Sequence, residues 1–230
     1  MHKLAMKLLE YIAVGNGLDR FYFHSWFEQD SLSTQRAIHI LPRTAGIVDS
    51  SKLTKDHFKL TTPEHTDSGF LTLLTTFGYP GLQVLIDGEY KSVKPVYNQL
   101  VVNLGATFEH ITNFTMKATY HRVLDIGIER FSSPFFLRPK YAALIPSDIL
   151  TKDTDVKEPP RMFGDQYWEE NQDTAGWKGL TLPDMSKRYR TKSGKIIEPK
   201  NGGFAQVGKT MRVVPKRAPK KISKVGKKVT

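Results

Sequence analysis

Two histidines and an aspartate are the residues of this chain best suited to hold a metal. His65 and Asp67 stand in the run Glu64-His65-Thr66-Asp67-Ser68, and His121 stands in Thr119-Tyr120-His121-Arg122-Val123. Two imidazoles and one carboxylate on one side of a metal make a facial triad, which leaves coordination positions open for substrate and O₂. Nine residues beyond His121 comes Arg130-Phe131-Ser132, a cation and a hydroxyl two positions apart. A guanidinium matches a carboxylate bidentately and a serine hydroxyl adds a further donor. His-x-Asp alone is a common pair. What makes it specific is the order of four polar elements separated by strand-like sequence.

Elements must bring these residues together. Side chains at i and i+2 of an extended segment point the same way. His65 and Asp67 can therefore reach one metal if their stretch is extended, as Pro63 encourages. Asp67 and His121 are 54 residues apart, enough for four or five short strands and a return beside the starting point. His₂-carboxylate also serves zinc hydrolases, but the helical HExxH that usually carries it is absent. Such a site among strands favours Fe(II). Arg130 and Ser132 share one face of their strand by the same alternation. His2, His24, His39, His57 and His110 read as ordinary hydrogen-bonding histidines.

The surrounding texture is mainly β. Lys3–Val14 places Leu4, Leu8, Tyr11 and Ile12 at helical spacing, with Gly15 as its stop. Asp19 reads as the N-cap of a second short helix that docks Phe21, Phe23, Trp26 and Phe27 on the core. Strands are expected at Arg36–Leu41, His57–Thr61, Phe70–Phe77, Leu82–Ile86, Tyr90–Val96, Leu100–Leu104, His121–Ile126, Phe131–Leu137 and Tyr141–Ile145. Asp87-Gly88 is a two-residue hairpin signal. So many short strands need closure or sandwiching to hide their edges, and a jelly roll fits best. Thr151–Gln172 holds Met162, Phe163, Tyr167 and Trp168, so part of it reads as an amphipathic helix on the body. The division expected is a helical segment 1–30, a jelly-roll core 31–150 and an irregular, basic C-terminal extension 151–230.

Charge describes the tail rather than the fold. Fifteen lysines and arginines against the single acid Glu198 lie from Ser186 onward, a balance of +14. The total is +11, so the other 185 residues carry −3. The pairs Lys216-Arg217, Lys220-Lys221 and Lys227-Lys228 suit an arm on a nucleic acid or an acidic partner, and also suit a solvated tail or localisation signal. The last fifteen residues read as disordered in isolation. With no cysteine there is no disulfide, thiolate metal site or cysteine nucleophile. No apolar run approaches a bilayer span, and Met1-His2-Lys3-Leu4 does not open a secretory signal. An intracellular, cytoplasmic location is the default expectation.

Taken in order, these residues resemble a known family. His65-Thr66-Asp67, Val101-Val102-Asn103-Leu104-Gly105, Ile111-Thr112-Asn113, His121-Arg122-Val123 and Arg130-Phe131-Ser132 resemble the isopenicillin N synthase-like Fe(II)- and 2-oxoglutarate-dependent dioxygenases. The similarity runs from about Leu4 to Pro146. Leu8-Leu9-Glu10 to Phe27 resembles the helical segment before that family's core, Leu32–Arg36 its entry strand, and Ser133-Pro134-Phe135-Phe136 the isopenicillin N synthase branch. The resemblance implies a double-stranded β-helix, with His65, Asp67 and His121 as iron ligands. It implies that Arg130 and Ser132 bind the distal carboxylate of 2-oxoglutarate, and that O₂ oxidises a small-molecule or side-chain substrate with release of succinate and CO₂. The family's usual N-terminal region has no counterpart here, and the tyrosine that often assists co-substrate binding falls on Ile40. The segment between that strand and His65 is longer than usual, and the basic tail is additional. Two alternatives stay open: an oxidase without 2-oxoglutarate, whose Arg130 and Ser132 hold the substrate's own carboxylate, and a retired dioxygenase fold serving as a structural or RNA-binding component.

Overall fold

A computed structural model describes residues 1–28, 30–42, 59–150 and 159–171, together with the backbone of two strands at 204–207 and 210–213. The chain divides into two units, residues 1–178 and 179–230.

The first unit opens with helix α1, His2–Gly15. It buries Ala5, Leu9 and Ala13, a line of residues four apart, and leaves Leu4 and Tyr11 exposed. The contact line is thus rotated from the stripe of larger side chains expected from sequence. Small residues on either side of Leu9 let the helix backbone sit close to its neighbours. Its stop is Gly17 rather than Gly15: Gly17 takes φ +74° while Leu18 N–H bonds Ala13 O and Gly17 N–H bonds Val14 O. That is the Schellman arrangement. Asp19 caps no helix; its Oδ1 accepts from Phe21 N–H at 2.8 Å, and a single 3-10 turn follows at His24–Trp26. Phe23 and Phe27 dock on the core as expected, whereas Phe21 is exposed.

Two antiparallel sheets follow. The expected first strand, Arg36–Leu41, is the shorter β2 (Ile38–Ile40), and a two-residue strand β1 (Thr34–Gln35) precedes it. Then come β3 (Leu60–His65), β4 (Leu71–Thr75), β5 (Leu82–Ile86), β6 (Glu89–Ser92), β7 (Val101–Leu104), helix α2 (Ala106–Ile111), β8 (His121–Leu124) and β9 (Arg130–Leu137). One sheet runs β1-β9-β4-β7, with β2 also on β9; the other runs β3-β8-β5-β6. Residues 57 and 58 of the expected second strand lie outside the described residues. The β5–β6 hairpin turns at Asp87-Gly88 with φ 53° and 77°, the primed turn that matches strand twist. The sheets lie on either side of one cavity, since residues of both line it. This is the jelly-roll core.

Period-two alternation decides what each strand shows to each side. On β4, Leu71 and Leu73 join the apolar core with α1, whereas Thr72 and Leu74 line the cavity. On β9, Phe135 and Leu137 join the core, whereas Arg130, Ser132, Pro134 and Phe136 line the cavity. Phe23, Phe27, Phe70 and Phe108 fill the space between helices and sheet with edge-on or tilted ring contacts.

Beyond the core, Tyr141–Ile145 keeps only the short strand β10, Leu144–Ile145, paired with β11, Arg161–Met162. Helix α3, Phe163–Asn171, buries Phe163 and Tyr167 on the same unit. In the second unit, β12 (Phe204–Val207) and β13 (Thr210–Val213) form an antiparallel hairpin. The last fifteen residues lie outside the described residues. Among those described, no helix is long and apolar enough to cross a membrane.

Candidate metal centre and carboxylate pocket

The three residues singled out by type converge. One ligand atom from each of His65, Asp67 and His121 lies within 4.8 Å of the other two. His65 ends β3 and His121 opens β8, paired directly across the ladder with ring centroids 4.3 Å apart. β3 carries register irregularities before His65, around Pro63, and such breaks re-aim a side chain. Asp67 follows in the turn between β3 and β4. Its Oδ1 lies 3.8 Å from His65 Nε2 and 3.9 Å from His121 Nε2.

The donor set fits a divalent metal. His65 Nδ1 faces the Pro63 carbonyl at 2.9 Å, and His121 Nδ1 faces the Thr119 carbonyl at 3.0 Å. A carbonyl only accepts, so each Nδ1 carries the proton and each Nε2 keeps its lone pair for a metal. Asp67 Oδ2 accepts from Thr72 Oγ1 at 2.5 Å and from Asn103 Nδ2 at 2.8 Å. These bonds leave Oδ1 toward the histidines. The backbone of the turn is clamped as well: Ala106 N–H donates to Asp67 O, Gly105 N–H to Phe70 O, and Thr107 Oγ1 to Ser68 O. A Cβ at position 105 would collide with the Gly69 backbone, so only glycine allows α2 to start this close.

Arg130 sits elsewhere in the same cavity. It is buried; Nη1 donates to Pro80 O, and Nη2 donates to Thr61 Oγ1 and Leu124 O. Burial pushes its pKa down from the ordinary guanidinium range, and Asp125 opposes that shift. Of its five N–H donors these bonds use three, so Nε and one Nη1 hydrogen are left for a ligand. Gly81, at φ +118°, makes room for it, since a Cβ there would collide with Nη1. Ser132 lines the cavity two residues along β9.

Three further residues belong to this site, and residue type and spacing do not mark them as functional. Thr72 and Asn103 orient Asp67, and Asn103 is the polar interruption of Val-Val-Asn-Leu, which is a usable signal. Tyr79 lines the cavity beside Pro80, whose carbonyl holds Arg130. Ile40 pairs with Arg130 across the sheet and brings no hydroxyl.

The sequence profile of the 2OG-Fe(II) oxygenase superfamily matches residues 39–139, which span both sheets, the three convergent residues and Arg130. Residues 39–139 belong to the 2OG-Fe(II) oxygenase superfamily. Gibberellin 20 oxidase 2 of Arabidopsis thaliana is 35% identical over 162 residues, 69% of this chain and 40% of that protein. A full-length Neurospora crassa protein in complex with alpha-KG superposes with a TM-score of 0.62 at 27% identity, covering 74% of this chain and 53% of that one. JOX2 in complex with 2OG, Fe and JA superposes at 0.60 with 26% identity, covering 73% and 48%. The chain spans less than half the length of the gibberellin 20 oxidases it matches. Superfamily members use Fe(II), 2-oxoglutarate and O₂, and the donor set of His65, Asp67 and His121 is of the kind that holds Fe(II).

Proposed function

We propose that this chain is an Fe(II)- and 2-oxoglutarate-dependent dioxygenase that hydroxylates or desaturates a small molecule. The convergence of His65, Asp67 and His121 at a cavity that also holds a partly unpaired Arg130 carries the reading. In it, His65 Nε2, His121 Nε2 and Asp67 Oδ1 hold the iron. Thr72 and Asn103 keep Asp67 Oδ2 occupied and its charge oriented. Arg130 offers Nε–H and Nη1–H to the distal carboxylate of 2-oxoglutarate, and Ser132 adds its hydroxyl. Tyr79 supplies, from the β4–β5 loop, the phenol that Ile40 lacks. Iron, when bound, supplies O₂-dependent oxidation of a substrate C–H coupled to conversion of 2-oxoglutarate to succinate and CO₂. Between the two sheets, Val84, Val101 and Val123 restrict water around the reacting groups.

Succinate release tests the reading. Purified chain given Fe(II), 2-oxoglutarate and O₂ is expected to form succinate slowly even without its prime substrate, and Asp67→Ala to form none. Iron-loaded wild-type protein that never forms succinate, with any substrate, would leave the reading without support.

A further inference from the structure

Arg138 is a buried cation that the chemistry proposed above leaves without a task. It follows β9, and its guanidinium lies between two rings, 4.8 Å from the centre of Phe136 and 5.0 Å from that of Tyr167 on α3. Nη1 donates to Thr34 Oγ1 at 2.7 Å, and the buried Nε has no hydrogen-bond partner. No carboxylate among the described residues forms an ion pair with it. Burial pushes its pKa down; Tyr167 opposes that shift, Arg36 reinforces it and Asp67 opposes it.

A lone buried guanidinium costs free energy that two ring faces offset only in part. A neutral side chain would fill the space without that cost, so it is the charge that needs a use. Its place supplies one. Gly69, two residues after Asp67, is so near that a Cβ on it would stand 3.1 Å from Arg138 Cγ and 3.8 Å from Nε. Phe70 N–H donates to Leu137 O, which brings the turn carrying Asp67 against the end of β9. Phe136, beside the guanidinium, pairs with Thr72, whose hydroxyl donates to Asp67. The oxygens of Asp67 are committed elsewhere, Oδ2 to Thr72 and Asn103 and Oδ1 toward the histidines. The other two arginines differ. Arg36 is exposed, where water and salt screen it. Arg130 opens β9 at its far end and, in the reading above, is neutralised by 2-oxoglutarate. Arg138 alone of the three keeps a buried, unneutralised charge beside the triad.

We propose that Arg138 is a positioning residue that acts on the metal centre by its charge, holding bound iron in the ferrous state between turnovers. The proposal rests on the iron reading above. Loss of one electron from Fe(II) to O₂ gives Fe(III) and superoxide, and adds one positive charge to the centre. The two imidazoles are neutral, so Asp67 is the one ligand whose charge offsets it. Arg138 opposes the added charge through a medium that screens poorly. One unit charge about 10 Å away, at an effective dielectric of about 20, moves such an equilibrium about tenfold, or about 59 mV for one electron.

The full chain is titrated anaerobically with Fe(II), without 2-oxoglutarate, and the Fe(III)/Fe(II) potential is measured by mediated spectroelectrochemistry. Oxidation in air is followed by the paramagnetic resonance signal of high-spin Fe(III). Arg138→Gln is expected to lower the potential by about 59 mV and to oxidise several-fold faster, with Arg138→Lys close to wild type in both. A packing role would move Gln and Lys together, because both lose the guanidinium fork. Arg138→Met removes the charge with an apolar side chain of similar length, and replaces Gln if that variant does not fold. An unmoved potential in the neutral variants, or equal shifts in Gln and Lys, would overturn the role of Arg138 and leave the iron reading standing. Wild type that takes up no Fe(II) in the titration would overturn the iron reading, and this role with it.

Discussion

Among single residues, Asp67 is a buried carboxylate fixed on one side. One of its oxygens is held by Thr72 and Asn103, so the other is aimed before any metal arrives. Replacing both partners, Thr72→Val with Asn103→Leu, is expected to weaken Fe(II) binding about 10- to 100-fold with the far-ultraviolet circular dichroism unchanged. Unaltered affinity would mean that these bonds only satisfy a buried carboxylate. At the other end, Gly81→Ala pushes on Arg130 Nη1. It is expected to raise the 2-oxoglutarate dissociation constant several-fold while sparing iron, measured by titration of each. The positions of His65, Asp67 and His121 are legible in the sequence because residue types and order suffice to mark them. Tyr79 is not, because nothing local in Gly78-Tyr79-Pro80-Gly81 tells which way a loop tyrosine points.

At the scale of elements, alternation on β4 and β9 makes the sheets readable, since each strand has one apolar and one cavity face. Helix α2 is not readable: six residues make under two turns, too few for a period to show. The buried face of α1 departs from the sequence expectation because closeness of approach outweighs side-chain size there. Leu9 is fully buried on it, and Leu9→Ala is expected to cost about 2–5 kcal/mol in urea unfolding. The same helix carries a pH-dependent tie. Lys7 and Arg20 hydrogen-bond Glu10 and hold its pKa down to about 2 from 4.5. A carboxylate depressed on folding stabilises fully above its unfolded value and loses that contribution as pH falls toward the folded one. Wild type is therefore expected to melt above Glu10→Gln at pH 7, with the gap narrowing between pH 4.5 and 2. A constant gap across that range would show that Glu10 acts without its charge.

At the scale of the whole molecule, the −3 body and the +14 tail are different objects, and the superfamily match lies wholly in the first. The second unit contributes a described hairpin, and the basic pairs beyond Lys216 lie outside the described residues. Nothing about a nucleic-acid or acidic partner follows from the core. What the core does carry is a chemical division of one cavity between the three convergent residues and Arg130. Anaerobic titration with Fe(II) and then 2-oxoglutarate, on wild type and Arg130→Gln, tests that division most directly. Wild type is expected to give a saturable visible charge-transfer band, with co-substrate affinity lowered about tenfold or more in the variant and iron affinity retained. Bound iron without a band in wild type, or a band indifferent to Arg130, would contradict it.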